Sequence, residues 1–146
     1  VYADAGRLTQ LFTNLLLNAG CYARPGIPSV VSVTGRLVGD VTDDGTTGDD
    51  DEPYVEMRIK DNGIGIGPEH SERIFDRFFQ VEKGDSRSKG GIGLGLVICR
   101  AICNAHGGSI ELANPTANEG DARHDVLRAS GRTGAEFVII LPVIPK

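Results

Sequence analysis

The sequence predicts one α/β domain, a sandwich of helices packed on a β-sheet, and three observations support this. Apolar residues recur with helical spacing near the N-terminus and again near residue 100. Four other segments are β-branched or alternate between apolar and polar residues. The chain has 146 residues, of which 40% are hydrophobic, and this length and balance suit a single globular core. We therefore expect residues 1–146 to form one domain.

The first predicted helix begins at Asp4, whose side chain can cap it, and ends near Pro25-Gly26. Its apolar residues recur at three- and four-residue steps: Leu8, Leu11, Phe12, Leu15 and Ala19. A second stripe carries polar and thiol side chains: Asn14, Asn18, Cys21 and Tyr22. One face of this helix can therefore pack while another binds.

The remaining elements follow in order. Two alternating strands, Ser29 to Val38 and Tyr54 to Lys60, should form a hairpin with a long tip at residues 39–53. Residues 73–80 are expected to form a short helix with an apolar face, and Leu94 to His106 a longer one that stops at Gly107-Gly108. Strands at residues 109–113 and 135–141 complete the sandwich.

Composition excludes several classes of function. The formal net charge of −5 and the pI near 5.1 argue against a nucleic-acid-binding surface, which needs basic side chains to neutralise phosphates. No apolar run approaches the roughly 20 residues of a membrane-spanning helix, so we expect a soluble segment without direct membrane contact. Three cysteines, an odd number in a chain of this size, favour reduced thiols and a cytoplasmic location.

Three polar or glycine-rich motifs carry possible chemistry. In Asp61-Asn-Gly-Ile-Gly-Ile66, glycines let the main chain approach a planar ligand and Asp61 can accept a hydrogen bond from an amine such as that of adenine, although the motif is also a strong turn signal. The glycines before the helix near residue 94 can cradle phosphates or form a flexible cap. Asn14 and Asn18, one turn apart, can complete a Mg²⁺ shell or bond to helix carbonyls.

The order of these motifs resembles that of the catalytic ATP-binding domain of sensor histidine kinases. The matching segments are Leu8 to Ala19, Asp61 to Ile66, Arg73 to Phe79, Gly91 to Cys99 and His106-Gly-Gly. The first four correspond to the N, G1, F and G2 boxes of that family, and the resemblance covers almost the whole chain. The resemblance implies a Bergerat-type fold with a mixed, mainly antiparallel sheet backed by about three helices. It also implies a lid over ATP from about Gly67 to Gly93.

The resemblance further implies roles for individual residues. Asn18 matches the Mg²⁺ ligand, Asn14 the companion amide near the phosphates, and Tyr22 the residue beside the adenine. Asp61 matches the carboxylate that binds the adenine amino group. Gly63, Gly65 and Ile66 match the residues that form the pocket around it. The phosphate-side glycines are matched by Gly91, Gly93 and Gly95, and the leucines beside them by Leu94 and Leu96.

The segment from Arg73 to Phe79 matches the hydrophobic box that seats the lid. Its phenylalanines, Phe75, Phe78 and Phe79, have either that role or a simple place in the core. Arg77 is the cation that we expect to approach phosphate and assist transfer.

The implied reaction is transfer of the γ-phosphoryl group of Mg-ATP to a histidine on a separate dimerisation domain of the same kinase. Related gyrase- and chaperone-type ATPases carry a water-activating Glu where this chain has Asn14, which cannot act as a base. We therefore expect phosphotransfer rather than rapid hydrolysis. His70, His106 and His124 lie outside an acceptor motif. The acceptor domain and the contact with a response regulator are expected elsewhere in a longer, membrane-bound sensor kinase.

Three features depart from the family pattern. Cys21 stands where Lys or Arg is usual, which removes a phosphate-facing cation; Lys83, Arg87 or Lys89 can replace its charge. The acidic segment 43–52 does not have the spacing of an EF-hand, so a solvated loop is favoured over a Ca²⁺ site. The stretch 114–133 is longer and more polar than the turn usual at this place.

The cysteines and the function each allow a second interpretation from the sequence. Cys99, Cys103 and His106 share a helical face, where buried thiols are favoured over a zinc site. Cys21 is either an inert small residue or an oxidation-sensitive thiol. The alternative function is a degenerate nucleotide-binding module that binds ATP without transferring phosphate.

Overall fold

The computed structural model describes residues 3–39, 52–81, 92–113 and 134–143. Two α-helices and four strands form the framework: α1 (Ala5–Cys21), β1 (Val31–Val38), β2 (Tyr54–Asp61), α2 (Gly95–Ala105), β3 (Ser109–Leu112) and β4 (Glu136–Pro142). Several predictions concern positions outside the described residues: Lys83, Arg87, Lys89, Gly91, His124, residues 43–51 of the acidic segment and residues 114–133.

The four strands form one sheet in the order β1-β2-β4-β3, and every neighbouring pair is antiparallel. The predicted hairpin is present, with Val38 opposite Tyr54 at the end next to the connecting segment and Val31 opposite Asp61 at its open end. The two-layer α/β sandwich is thus confirmed. Within the described ranges the sheet is wholly antiparallel rather than mixed.

The core lies between the two helices and one face of the sheet. Its buried side chains come from both layers: Leu11, Leu15, Ile59, Cys99, Ile102, Cys103, Ile110, Phe137, Ile139 and Leu141. Of the apolar stripe predicted on α1, Leu11, Leu15 and Ala19 are buried and Leu8 and Phe12 are partly buried against the core, whereas Asn14 and Asn18 lie outside the buried stripe. The phenyl rings of Phe75 and Phe137 meet edge to face with centroids 6.4 Å apart. Burying each large apolar side chain contributes about 1.5–3 kcal/mol, so this layer contact supplies most of the stability.

The start of α1 and the end of α2 are tied by a histidine. The Asp4 side chain caps α1 by accepting from the Arg7 amide at 3.0 Å. The Asp4 amide donates to Nε2 of His106 at 3.0 Å, and Nδ1 of that ring lies 2.8 Å from the Ile102 carbonyl. Since Nε2 accepts, Nδ1 carries the proton, and His106 is a structural residue.

The cysteines and His106 do not form a zinc site. Burial raises the pKa of Cys99 to about 12 and that of Cys103 to about 11, so both are inert thiols. Among the residues that the structure describes, no group of three His, Cys, Asp or Glu side chains can hold a metal ion. All three cysteines are free, and Cys21 is exposed.

The prediction of a helix at residues 73–80 is wrong. Only the 3-10 turns Pro68–His70 and Arg73–Phe75 form here. Asp76 is extended, with ψ of 149°, and Phe78 has a positive φ of 62°, and neither conformation continues a helix. The described residues therefore contain two α-helices instead of about three. Neither has the length and apolarity needed to cross a membrane.

The outer face of the sheet carries a charged network centred on Glu56. This residue is 7% exposed, and its carboxylate accepts from Arg36 twice at 3.1 Å and from Arg58 at 2.8 Å. Arg58 also bonds to Glu136 at 3.3 Å. The two arginines hold the pKa of Glu56 at about 2, well below its ordinary 4.5. The network therefore joins β1, β2 and β4 on the face opposite the core.

We expect Glu56→Gln to lower the melting temperature by several degrees at pH 7, because a neutral amide removes the carboxylate that Arg36 and Arg58 share and leaves Arg58 with Glu136 alone. The pKa of Glu56 is lower in the folded than in the unfolded chain, so its contribution is complete above about pH 4.5 and is lost as the pH falls toward 2. The difference in melting temperature between wild type and variant should therefore narrow below about pH 5. Glu111→Gln, the same change at an exposed position of β3, is the control. A difference that stays constant with pH would contradict this account.

Candidate functional site

Asp61, the last residue of β2, connects the glycine turn that follows it to β4. Its Oδ1 accepts from the amide of Gly63 at 2.8 Å and from that of Ala135 at 3.1 Å. Burial raises the pKa of Asp61, and the two amide donors only partly oppose this effect. Oδ2 has no hydrogen-bond partner among the described residues. One oxygen of a half-buried carboxylate is thus left for a ligand donor.

The glycine turn packs against the end of α1. The Ile64 amide donates to the Tyr22 carbonyl at 3.0 Å, and a β-carbon on Gly63 would collide with that same oxygen. Gly65 has a φ of 79°, which glycine adopts without strain. Tyr22, with 41% of its surface exposed, lies beside Gly63. The interpretation of the motif as a turn is confirmed, since its glycines are needed for the turn, and its role as a ligand site stays a prediction.

Asn14 and Asn18 lie against the first turn of α2. Nδ2 of Asn14 donates to the Gly95 carbonyl at 3.3 Å. A β-carbon added to Gly95 would lie 3.9 Å from Oδ1 of Asn18 and 4.0 Å from Cβ of Asn14. The Asn18 side chain makes no hydrogen bond with the described residues, so its amide oxygen can act as a ligand. The two asparagines therefore lie next to the start of α2.

The start of α2 offers main-chain donors that make no hydrogen bond with the described residues. The N-cap residue Leu94 provides no side-chain hydrogen bond, and the first amide to bond within the helix is that of Ile98, to Leu94 at 3.0 Å. The preceding amides have no partner inside the helix and lie at the positive end of its dipole. This terminus faces the two asparagines of α1, and together they form a polar site with donors on one side and amide oxygens on the other.

Two clusters of residues thus lie along the C-terminal half of α1. Asn14, Asn18 and Gly95 form the first, and Asp61, Gly63 and Tyr22 the second. The Tyr22 amide donates to the Asn18 carbonyl at 3.0 Å, so the clusters are one helical turn apart.

The other predicted site residues lie around these clusters or within the core. Ile66 and Leu96 pack against the core, and Phe75, 5% exposed, is a core residue that also lies under the Arg100 guanidinium at 4.0 Å. Arg77 is exposed and makes no hydrogen bond or ion pair with the described residues. Its role stays a prediction.

Three residues that hold the site were not predicted from the sequence: Gly134 and Ala135 lie outside the motifs, and Asn62 lies within one of them. Ala135 bonds to Asp61 through both main-chain groups, and Gly134, with φ of 115°, approaches Asp61 too closely for any β-carbon. Asn62 accepts from Val30 at 2.9 Å and donates to Pro28 at 3.0 Å, which fixes the approach to β1. The Asn within the glycine motif was a visible signal for the second contact, but no local signal marks the first.

Comparisons with known proteins bear on the family and the fold of this chain. Residues 3–145 match the family model described as histidine kinase-, DNA gyrase B-, and HSP90-like ATPase. The sensor protein SrrB of Staphylococcus aureus (strain NCTC 8325 / PS 47) is 39% identical over 109 residues, which are 75% of this chain and 16% of SrrB. The chain therefore spans only a small part of the length of the curated relatives that it matches.

Solved structures show the same fold. The mycobacterial sensor histidine kinase MprB is 28% identical with a TM-score of 0.63, over 100% of this chain and 78% of that one. Full-length ShkA in complex with AMPPNP is 25% identical with a TM-score of 0.58, over 99% of this chain and 23% of that one. Given the family model that matches nearly its full length, this chain belongs to the family of histidine kinase-, DNA gyrase B- and HSP90-like ATPases.

Proposed function

We propose that this chain is the ATP-binding catalytic domain of a sensor histidine kinase. It binds Mg-ATP and transfers the γ-phosphoryl group to a histidine on a separate dimerisation domain of the same kinase. That phosphohistidine then passes the phosphoryl group to a response regulator. The observation that carries the proposal is the contact of Asn14 and Asn18 with the start of α2, one helical turn from the Asp61 cluster. Family membership and the similarity to named sensor kinases support it.

The adenine binds at the Asp61 cluster. Oδ2 of Asp61 accepts a hydrogen bond from the exocyclic amino group, while Oδ1 stays engaged with Gly63 and Ala135. Tyr22, whose main-chain carbonyl bonds to the turn, is half-exposed and can contact the base. The bound AMPPNP named for ShkA supports a nucleotide site on this fold.

The phosphates bind at the start of α2. Its free amides and helix dipole favour an anion at this position. The amide oxygen of Asn18 is a hard ligand of the type that Mg²⁺ accepts, so Asn18 would hold the ion, with Asn14 beside it. Bound Mg²⁺ would offset the charge of the phosphate oxygens.

The site favours phosphotransfer over hydrolysis. Asn14 gives its amide hydrogen to the Gly95 carbonyl and has no basic group with which to deprotonate water. An imidazole nitrogen needs no such activation, and it attacks the γ-phosphorus as the bond to the ADP oxygen breaks. Positioning and charge neutralisation then account for the catalysis.

Replacing Asn18 tests the proposal directly. We expect Asn18→Ala to weaken Mg-dependent ATP binding by about tenfold or more, because an oxygen ligand is lost, while the melting temperature stays close to that of wild type. Calorimetry on this chain measures binding, and acid-labile phosphohistidine on the full-length protein measures transfer. Asn104→Ala, an exposed asparagine of α2, is the matched control. Wild-type binding without any transfer would instead favour the nucleotide-binding module without phosphotransfer.

Replacing Asp61 tests the base contact. In Asp61→Asn the side-chain oxygen can still accept from Gly63 and Ala135, which turns an amide donor toward the adenine amino group. We expect about tenfold or greater loss of ATP affinity and a smaller loss for inosine triphosphate, whose exocyclic carbonyl oxygen stands in place of the adenine amino group and accepts a hydrogen bond. Stability should be retained or increased, since a half-buried charge with a raised pKa is removed. Equal losses for both nucleotides would contradict the assigned contact.

Replacing Gly95 separates stability from binding. An alanine fits here without a clash, since the nearest side-chain atoms would lie 3.9–4.0 Å away. We expect Gly95→Ala to raise the free energy of unfolding by a few tenths of a kcal/mol, up to about 1 kcal/mol. It should at the same time weaken ATP binding, because the methyl group narrows the space between α2 and the asparagines. Denaturant unfolding and calorimetry check the two effects, and unchanged affinity would argue against phosphates at this position.

A further inference from the structure

Phe78 has an unusual main-chain conformation. It is the one non-glycine residue with a positive φ, 62°, among the described residues. It is the third residue of a turn closed by a hydrogen bond from the Phe79 amide to the Asp76 carbonyl at 3.3 Å, a position where glycine is usual when φ is positive. Its side chain is 68% exposed, so burial of the ring does not impose this conformation. Strain of this kind persists only where the surroundings fix it.

The surrounding contact is with Gly93. The Phe78 amide donates to the Gly93 carbonyl at 3.1 Å. Gly93 also has a positive φ, 75°, and a β-carbon there would lie 2.9 Å from the Phe79 carbonyl oxygen and 3.0 Å from Cα and C of Phe78. Two left-handed residues thus pack main chain against main chain. We refer to Phe78, Phe79 and Gly93 as the clasp.

The clasp lies directly before the proposed phosphate site. Only Leu94 separates Gly93 from Gly95, the first residue of α2, whose carbonyl accepts from Asn14 at 3.3 Å. Leu94 offers no side-chain cap that would fix this helix start independently. The direction in which the chain enters α2 is therefore set on one side by the clasp and on the other by Asn14 and Asn18.

We propose that Phe78 is a positioning residue for the nucleotide site and that it acts through its main-chain amide. The clasp holds the first amides of α2 against Asn14 and Asn18. Position 93 requires glycine because a β-carbon there would clash with the Phe78–Phe79 peptide. This requirement holds even when no phosphate is bound. The assignment of the ligand as nucleotide rests on the proposed function, whereas the clasp is a property of the free chain.

The test breaks the clasp from each side. Gly93→Ala introduces the clash, and Phe78→Pro removes the donor and cannot adopt the positive φ. Gly26→Ala is the matched control, since Gly26 has nearly the same φ, 74°, but nothing within 4 Å of an added β-carbon. We expect the first two variants to bind Mg-ATP about tenfold more weakly or worse, and Gly26→Ala to bind within about twofold of wild type.

Measurements without nucleotide keep the test independent of ATP binding. In the free wild-type chain, the Phe78 amide should be protected from hydrogen exchange, and Phe78→Ala, which keeps the donor, should retain that protection. In Gly93→Ala, the NMR signals of the Gly95 amide and the Asn14 side-chain amide should shift, whereas in Gly26→Ala they should not. These measurements still test the clasp if the wild-type chain fails to bind ATP. Such a failure would contradict the proposed function but not the clasp.

Three results would overturn the proposal. An unprotected Phe78 amide in the free chain would show that the clasp does not form. Unchanged Gly95 and Asn14 signals in Gly93→Ala would show that the clasp does not control the start of α2. Equal losses of ATP affinity in Phe78→Ala and Phe78→Pro would assign the effect to the ring and not to the main-chain amide.

Discussion

The carboxylate of Asp61 joins parts of the chain that are far apart in sequence, and the site depends on it. One oxygen binds the glycine turn two residues later and the start of β4, 74 positions away. The turn in turn packs against the Tyr22 carbonyl at the end of α1. Burial opposes ionisation of this group, as its raised pKa shows. Such a group is typical of functional sites, where stability is given up so that a charge can face a ligand.

Helix α1 connects the Asn14–Asn18 cluster and the Asp61 cluster to the core. Its periodicity places Leu11 and Leu15 in the core and Asn14 and Asn18 on a separate polar stripe, so the burial that stabilises the helix also fixes the direction of the asparagines. Helix α2 has the corresponding property, because Cys99 and Cys103 are buried in the same core that holds its first turn near α1. A change in this packing would therefore move the main-chain donors of α2 and the amide oxygens of Asn14 and Asn18 together.

Local patterns in the sequence predicted most of the framework, and long-range contacts explain what they missed. Helical and strand periodicity located α1, α2 and the four strands, because burial on one face imposes those spacings. The four aromatic or apolar residues between Ile74 and Phe79 have a helical spacing too, but the clasp with Gly93 holds Phe78 at a positive φ that a helix excludes. The bond from Ala135 to Asp61 has no local signature, since it depends on which strand lies beside β2.

The glycines of the motifs differ in what they require, and this separates fold from function. Gly63, Gly93 and Gly134 each approach another main-chain segment so closely that a β-carbon would clash, so the fold alone explains them. Gly95 has room for a β-carbon and lies in a helix, where glycine is less stable than alanine. Packing therefore gives no reason for glycine at position 95. Under the proposed function, the space that it leaves beside Asn14 and Asn18 is where a phosphate would approach the main chain, and Gly95 is then the glycine whose presence argues most directly for a ligand.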